Sequence, residues 1–271
     1  MIKPNKFIYF FLPGKMVRRD VKSRSGGVLP TEITRDIRDY VEPLQGVAES
    51  SFFSLRGSPT LSRVESQSIY NSCVAHAITT AIESYAKVNG WPHYFELSRM
   101  HLWNEARKLS GTYPKNQGCY IRDGWKAAQK EGIAIEQLFP YGVGSYNKEP
   151  GVQARIFRHW YPDFKYYWIH QVDKDGKYAA IKSVLTEKRV PIVFSAELPK
   201  SFLKAKSEDY KPDYKEEVAL NHAMLIVGFD DQFNRIQIMN SWDRTWGDGG
   251  FLWVDKNWLL SKVENLSYPW K

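Results

Sequence analysis

Apolar residues recur at helical spacing in the first half of the chain. Five of them repeat at intervals of three to four residues, which predicts a helix over residues 73–88 with one apolar face: Ala77, Ile78, Ala81, Ile82 and Tyr85. Ser72 is a predicted N-cap, because its hydroxyl can accept from the free amides of the first turn. Gly90-Trp-Pro ends this helix, and two further helices are predicted at 98–108 and 121–131.

Segments rich in β-branched and aromatic residues dominate the second half. We predict strands at 164–172, 190–195, 222–229, 235–240 and 250–254, a helix at 177–188 and a long polar surface loop at 201–218. Helices that precede strands, instead of alternating with them, indicate an α+β fold. We expect a helical lobe at about residues 60–148, and a β-rich lobe at about 149–271 with part of 29–59. A cleft would separate the two lobes.

Residues 1–28 differ from the rest of the chain in charge. Seven Lys or Arg residues and Asp20 give this segment +6 of the formal net charge of +8, so the body carries only +2. A nucleic-acid interface would need a basic face on the folded body, and we therefore expect no nucleic-acid partner. Residues 23–27 have a linker composition. Phe7–Leu12 is predicted as a strand, which would either pack on the body as an edge strand or cover the cleft.

Composition also restricts the compartment and the cofactors. No apolar run approaches the roughly 20 residues of a membrane span, so we expect no membrane association. Phe7–Leu12 is shorter than the roughly 7–15 apolar residues of a signal peptide. The chain has two cysteines, Cys73 and Cys119, and no Cys/His cluster at zinc spacing, so we expect no metal and no cofactor. These features favour a cytoplasmic or leaderless-secreted protein over one with a signal peptide.

Four polar residues carry the candidate chemistry. Cys73 begins the predicted helix, where free amides and the helix dipole lower the pKa of a thiol. His222 and Asn240 lie on consecutive predicted strands, and antiparallel pairing would let the Asn carbonyl oxygen fix the tautomer of the imidazole, with Trp242 covering that hydrogen bond. Gln67, six residues before the cysteine, would donate to an oxyanion together with the Cys73 N–H. An isolated Cys or His is more often a core residue, but these residues together indicate acyl transfer through a thiol.

The arrangement resembles the papain-like (C1-type) cysteine peptidases, and in particular their bacterial branch. The matching motifs, in the family's order over about residues 29–255, are Leu29-Pro30 with Asp36-Ile-Arg38, Gln67…Cys73, Leu97-Ser98, Gly118-Cys-Tyr-Ile-Arg-Asp-Gly124, Gly132, Pro140-Tyr141, His222-Ala-Met-Leu-Ile-Val-Gly-Phe229, Asn240-Ser-Trp242 and Trp246-Gly-Asp-Gly-Gly-Phe251. The resemblance implies a papain-like fold with a helical left lobe and a β-barrel-like right lobe. It also implies peptide hydrolysis through a thioester on a polypeptide substrate, by an enzyme that we expect to be monomeric.

By the same resemblance, Cys73 is the nucleophile, His222 the base and then the acid, Asn240 the orienting residue and Gln67 the oxyanion donor. Asp243 stands where the family often has a Gly that accommodates an unusual backbone angle, so the resemblance does not predict the turn there. Cys119 has no free partner and is expected to be a reduced core thiol.

Two further enzymatic hypotheses and one non-enzymatic hypothesis stay open. His76 shares the helix face of the cysteine and is a second, weaker candidate for the base. The same triad would serve deamidation or acyl transfer on a protein substrate, since amines and water attack the same thioester. A catalytically silent binding protein on this fold is the third possibility.

Overall fold

Three of the six α-helices found in the described residues, including the two longest, lie in the first half of the chain. The structure is a computed structural model, and it describes residues 8–12, 15–19, 26–29, 50–91, 95–142, 144–159, 161–170, 173–206 and 209–271. The α-helices are α1 (Cys73–Val88), α2 (Arg99–Leu109), α3 (Ile121–Lys130), α4 (Val152–Ile156), α5 (Lys174–Ser183) and α6 (Lys256–Lys262). A π-helical turn, Val184–Lys188, continues α5, and Lys200–Lys204 forms a 3-10 turn. Among the described helices, none has the length and apolar character needed to cross a bilayer.

The strands of the described residues form a hairpin and one larger sheet. They are β1 (Ile8–Leu12), β2 (Lys15–Arg19), β3 (Phe52–Ser54), β4 (Lys165–Trp168), β5 (Ile192–Pro199), β6 (Asp209–Tyr210), β7 (Val218–Asp230), β8 (Arg235–Met239), β9 (Phe251–Asp255) and β10 (Val263–Trp270). Strands β1 and β2 pair antiparallel with each other. The other eight form a sheet of order β4-β10-β5-β7-β8-β9-β6, with β3 paired to β7. This sheet is open, so the α+β fold class is confirmed but the barrel-like right lobe is not a closed one.

The three helices predicted in the first half are confirmed. Helix α1 occupies the predicted residues, and Ser98 caps α2 by accepting from the His101 N–H. Gly132, just after α3, has φ +74°, a conformation that glycine adopts without strain. The prediction for Ser72 is wrong, because its side chain makes no capping hydrogen bond. Its hydroxyl lies instead 2.6 Å from the Tyr141 hydroxyl, which takes the place of the helix amides as its partner.

The second half differs more from the sequence-based expectation. The predicted loop at 201–218 contains the 3-10 turn and β6, which pairs parallel with β9. Strand β10 was not predicted at all, although it lies inside the sheet between β4 and β5. The predicted strand at 164–172 is shorter in the structure and its last two residues lie outside the described part. Residues 30–49, including the motif Asp36–Arg38, also lie outside it.

Helix α1 is the centre of the packing. Its residues from Cys73 to Ala86 are all buried, so it has no solvent-facing side over that length. It contacts α2 and α3 on one side and β5, β7 and β10 on the other. The N-terminus of α1 therefore lies where the helices meet the sheet, against β7.

A buried ion pair joins α1 to α2. The Glu83 carboxylate lies 3.2 Å from the Arg99 guanidinium, and both side chains are almost fully buried. Glu83 also accepts a 2.8 Å hydrogen bond from the Leu97 N–H, while Arg99 donates to the Leu97 carbonyl oxygen. The pair thus holds the start of α2 at a fixed position along the central helix.

Candidate active site

The central strand pair of the sheet brings His222 and Asn240 together. Strands β7 and β8 are antiparallel with Leu225 opposite Met239, so Asn240, one residue beyond β8, lies beside the start of the buried part of β7. The His222 Nε2 and Asn240 Oδ1 atoms are 2.8 Å apart. This confirms the side-by-side geometry predicted from the two strands.

The hydrogen bonds around Asn240 define the tautomer of the imidazole. Asn240 Oδ1 also accepts from the Ser241 N–H at 2.7 Å, and only the oxygen of the amide can accept from a backbone N–H. His222 Nε2 therefore carries the hydrogen and donates to Oδ1, which leaves a lone pair on Nδ1. This Nδ1 is buried and has no hydrogen-bond partner among the described residues. The ring is oriented as a base with its acceptor nitrogen available.

Trp242 covers this hydrogen bond, as the sequence predicted. Its ring is stacked on the His222 imidazole with centroids 4.5 Å apart and planes inclined by 27°. The next residue, Asp243, has φ +58°, so the unusual backbone angle is present without a glycine. Its carboxylate accepts from the Thr245 N–H at 2.7 Å and from the Thr245 hydroxyl. A local side-chain turn thus stabilises the left-handed residue that follows the tryptophan.

Gln67 is fixed to the same turn. Its backbone N–H donates to the Ser241 carbonyl oxygen at 2.8 Å, and its side-chain Oε1 accepts from the Ser241 hydroxyl at 2.7 Å. The side-chain Nε2 donates to the Tyr70 carbonyl oxygen at 2.9 Å. The structure therefore brings Gln67 against the turn that holds Asn240, in a fully buried position.

The thiol of Cys73 lies at the junction of α1 and β7. Its Sγ accepts from the N–H of Ala223, the residue after His222, at 3.4 Å. Both Cys73 and His222 are fully buried. Burial raises the pKa of the Cys73 thiol to about 12, although the Ala223 N–H acts in the opposite direction. Burial also lowers the pKa of His222 to about 4, against the opposing effect of the bond to Asn240.

The expectation of a lowered thiol pKa is therefore wrong for this arrangement. The helix N-terminus favours the thiolate, but full removal from water outweighs it. Burial therefore favours the neutral thiol and the neutral imidazole.

Residues Gly26–Leu29 run alongside the site. The Gly27 N–H donates to the carbonyl oxygen of Asn221 at 3.2 Å, directly before His222. The Cys119 N–H donates to the Gly27 carbonyl oxygen at 3.0 Å, and the Leu29 N–H donates to the Cys119 carbonyl oxygen at 3.2 Å. Val28 thus forms a parallel bridge with Cys119. The backbone of Asn221 was missed by the sequence analysis, since a carbonyl oxygen leaves no signal in side-chain patterns.

Asn116 ties the two loops beside the site together. Its Oδ1 accepts from the Asn71 N–H at 3.0 Å, and the Asn71 side chain donates to the Asn116 carbonyl oxygen at 2.8 Å. The turn just before Cys73 is therefore fixed to the stretch that leads to Cys119. As expected, Cys119 is a buried free thiol, and burial raises its pKa well above the ordinary value.

His76 does not act as the base in this geometry. Its Nδ1 lies 3.1 Å from the Ser72 carbonyl oxygen, and its ring packs edge-on against Tyr141 with centroids 4.8 Å apart. Burial lowers the pKa of His76 to about 3. Tyr141 was not singled out as a site residue, yet its hydroxyl donates to the Gln67 carbonyl oxygen at 2.8 Å. The Pro140-Tyr141 motif was the available signal for it.

Comparisons with known proteins agree with the fold. A family model described as "Papain family cysteine protease" matches residues 51–268. Xylellain, a cysteine protease from Xylella fastidiosa, has a TM-score of 0.79 at 24% identity, over 93% of this chain and 98% of xylellain. The Carica candamarcensis cysteine protease CMS1MS2, solved in complex with E-64, has a TM-score of 0.58 at 19% identity, over 82% of this chain and 99% of its own.

Two curated relatives match most of this chain. The uncharacterized peptidase C1-like protein L477 of Acanthamoeba polyphaga mimivirus is 27% identical over 238 residues, covering 79% of this chain and 71% of the relative. A cathepsin L-like proteinase of Fasciola hepatica is 24% identical over 213 residues, 74% of this chain and 59% of the proteinase. The structural likenesses, at these identities, show the fold alone. The family model, by contrast, spans most of the sequence, and the chain therefore belongs to the papain family of cysteine proteases.

Proposed function

We propose that this papain-family protein is a thiol endopeptidase that acts through a Cys73–His222–Asn240 triad. One observation carries the proposal: His222 donates to Asn240 Oδ1, and its Nδ1 has no partner within the described part of the chain. The Cys73 thiol accepts a hydrogen bond from the N–H of Ala223, the next residue along the strand. A base with a fixed tautomer, next in the strand to the N–H that contacts the thiol, fits the arrangement that nucleophilic catalysis requires.

The proposed reaction begins with proton transfer. The His222 Nδ1 takes the proton of the Cys73 thiol, and the thiolate attacks the carbonyl carbon of the scissile peptide bond. The side-chain amide of Gln67 and the Cys73 N–H donate to the resulting oxyanion; one such donor is worth roughly 3–4 kcal/mol in related systems. The imidazolium then gives its proton to the leaving amine. Water attacks the thioester with His222 as base, which releases the carboxylate product and the free thiol.

The proposal extends to a polypeptide substrate, a monomeric enzyme and a bacterial source. Xylellain supports the bacterial assignment, whereas the mimivirus relative is viral. Deamidation and acyl transfer would pass through the same thioester, and they differ from hydrolysis only in their products. The experiment must therefore detect both the modification of the thiol and the chemical nature of the product.

The test combines a thiol-directed epoxide with product analysis. The full chain is incubated with E-64, the compound bound in the Carica candamarcensis neighbour, and the adduct is located by peptide mass spectrometry. We expect one adduct on Cys73, none on Cys119, and none after Cys73→Ala; Cys119→Ser serves as the matched control. Incubation with an unfolded protein substrate should produce new N-termini. If Cys73 is labelled but the products are deamidated or cross-linked proteins, the chain is a deamidase or a transferase and not a peptidase. If Cys73 is not labelled even after prolonged incubation, all three activities are refuted.

A further inference from the structure

A tyrosine from a different loop holds the turn between Gln67 and Cys73. The Tyr141 hydroxyl donates to the Gln67 carbonyl oxygen at 2.8 Å. Because a hydroxyl has a single hydrogen and this one is engaged, the Ser72 hydroxyl, 2.6 Å away, donates to the Tyr141 oxygen. One phenol thus links the residue that carries the proposed oxyanion amide to the residue directly before the thiol.

The Gln67 carbonyl group leads into an unusual backbone angle. The next residue, Ser68, has φ +54°, in the left-handed region that a residue with a side chain adopts only when its surroundings hold it there. The same carbonyl oxygen accepts from the Tyr70 N–H at 3.1 Å, and Gln67 Nε2 donates to the Tyr70 carbonyl oxygen at 2.9 Å. The direction of the Gln67 side chain therefore depends on a turn whose carbonyl group is bound by the tyrosine hydroxyl.

Tyr141 is itself fixed by several contacts. Its N–H donates to the Glu136 carboxylate at 2.6 Å. Its ring packs edge-on against the rings of Tyr70 and His76, with centroids 5.9 and 4.8 Å apart. Burial raises the pKa of the Tyr141 hydroxyl above its ordinary value, so the group stays protonated and keeps its hydrogen for the Gln67 carbonyl oxygen. The phenol is therefore a rigid contact to the turn.

We propose that Tyr141 is a positioning residue for the oxyanion site, because its hydroxyl fixes the turn that aims the Gln67 amide at the reacting carbonyl oxygen. The inference rests on the proposed function only in taking Gln67 as an oxyanion donor. Tyr141 does not touch the substrate and acts through Gln67, so its contribution must disappear when the Gln67 amide is removed. A hydroxyl that only stabilised the fold would contribute equally with or without that amide.

A double-mutant cycle with a peptide aldehyde tests this role in the full chain. The Cys73 sulfur bonds to the aldehyde carbon, the π electron pair of the C=O bond moves to the oxygen, and the thiol proton passes to His222 Nδ1. The oxygen of this adduct needs the same donors as the oxyanion of the reaction, whichever acceptor later attacks a thioester. Acetyl-leucyl-leucinal is titrated by calorimetry into the wild type, Tyr141→Phe, Gln67→Ala and the double variant, with Cys73→Ala as the blank.

The expected losses are not additive. Tyr141→Phe should weaken aldehyde binding about threefold to tenfold, the worth of one hydrogen bond, and Gln67→Ala roughly a hundredfold to a thousandfold. Adding Tyr141→Phe to Gln67→Ala should change binding by less than about twofold. Tyr161→Phe is the matched control, because its buried hydroxyl also donates to a backbone carbonyl oxygen, that of Ala128 at 2.6 Å. It should lose a similar amount of thermal stability and bind the aldehyde like the wild type.

Alkylation of Cys73 by iodoacetamide keeps the test decisive even if Gln67→Ala does not fold. Displacement of iodide forms no oxyanion, so Tyr141→Phe should be alkylated within about twofold of the wild-type rate while its aldehyde binding weakens. Unchanged aldehyde binding in Tyr141→Phe, or equal fold-changes in the two reactions, would overturn the proposal.

The cycle also separates this inference from the proposed peptidase activity. If the losses are coupled but the protein hydrolyses no peptide, the peptidase is refuted and the positioning role of Tyr141 stands. If the protein hydrolyses peptides but Tyr141→Phe causes the same loss with and without the Gln67 amide, the positioning role is refuted and the peptidase stands. A wild type that forms no adduct with the aldehyde would refute the oxyanion role of Gln67 and, with it, the role of Tyr141.

Discussion

Replacement of Asn240 by Ala tests whether the amide of this residue orients the imidazole. The substitution removes the Oδ1 atom that accepts from His222 Nε2 at 2.8 Å and from the Ser241 N–H at 2.7 Å. Both donors are buried, so neither regains water as a partner.

The expected loss of stability is small because two effects oppose each other. Leaving two buried donors without an acceptor costs about 2–4 kcal/mol in total. The side-chain Nδ2 of Asn240, however, is itself buried without a partner among the described residues, and its removal returns about 1–2 kcal/mol. We expect the free energy of unfolding to fall by about 1–2 kcal/mol, measured by urea denaturation.

The expected loss of activity is larger but limited. Without its acceptor, the ring of His222 can carry its hydrogen on Nδ1, which cannot then take the proton of the thiol. Loss of this hydrogen bond changes the ratio of the two imidazole tautomers by about tenfold. The stack with Trp242 still holds the plane of the ring, so we expect kcat to fall by about tenfold to a hundredfold, with KM little changed.

A fluorogenic peptide assay measures this loss, with Asn147→Ala as the control because the side chain of Asn147 is exposed. Asn240→Asp is a second variant that tests the effect of residue 240 on the pKa of the imidazole. Its carboxylate keeps both acceptor interactions and should raise the pKa of the imidazole, which moves the acid limb of kcat/KM to higher pH. An unchanged kcat in Asn240→Ala, or a loss as complete as in Cys73→Ala, would refute the orienting role.

Three other perturbations test separate parts of the structure. Glu83→Ala leaves the buried Arg99 without its carboxylate, and we expect a loss of about 3–5 kcal/mol in the free energy of unfolding by urea denaturation. Asp243→Ala should lower the free energy of unfolding by about 2 kcal/mol in the same measurement, because a residue in the left-handed region loses its two hydrogen bonds to Thr245. Asp243→Gly should stay within about 1 kcal/mol of the wild type, because glycine adopts this backbone angle without strain. Burial lowers the pKa of His222 from 6.5 to about 4. The contribution of the neutral imidazole to stability is therefore complete above pH 6.5 and is lost as the pH falls towards 4. In thermal denaturation, His222→Gln should lose less stability than the wild type over this pH window.

Each of these has a result that contradicts it. A change below about 1 kcal/mol in Glu83→Ala would mean that Arg99 finds another partner or water. Equal stabilities of Asp243→Ala and Asp243→Gly would show that the backbone angle at this position is not constrained. Identical acid profiles for the wild type and His222→Gln would assign the acid sensitivity to other groups.

Local patterns predicted the helices and the strand pair of the site well. Helix α1 begins and ends where the apolar spacing and Gly90 indicated, because its packing follows the periodicity. The pairing of His222 with Asn240 followed from two consecutive strands and a short turn. These are short-range relations, and the residue types in them are sufficient to define the geometry.

Long-range contacts account for what the sequence did not predict. Strand β10 contains Pro269 and an irregularity between Glu264 and Ser267, and Asn265 within it has φ +54°, so no alternation of apolar residues marks it. Its place in the sheet depends on pairing with β4 and β5, which lie far away in the chain. The raised pKa of Cys73 likewise depends on burial by distant groups and not on its own helix.

The neutral state of the site has a consequence for the chemical lifetime of the thiol. Peroxides and other oxidants react with the thiolate, and they must reach the sulfur to do so. In this arrangement Cys73 is fully buried and, with its pKa raised to about 12, protonated at neutral pH. The same burial therefore protects the sulfur of Cys73 from sulfenic and sulfinic acid formation.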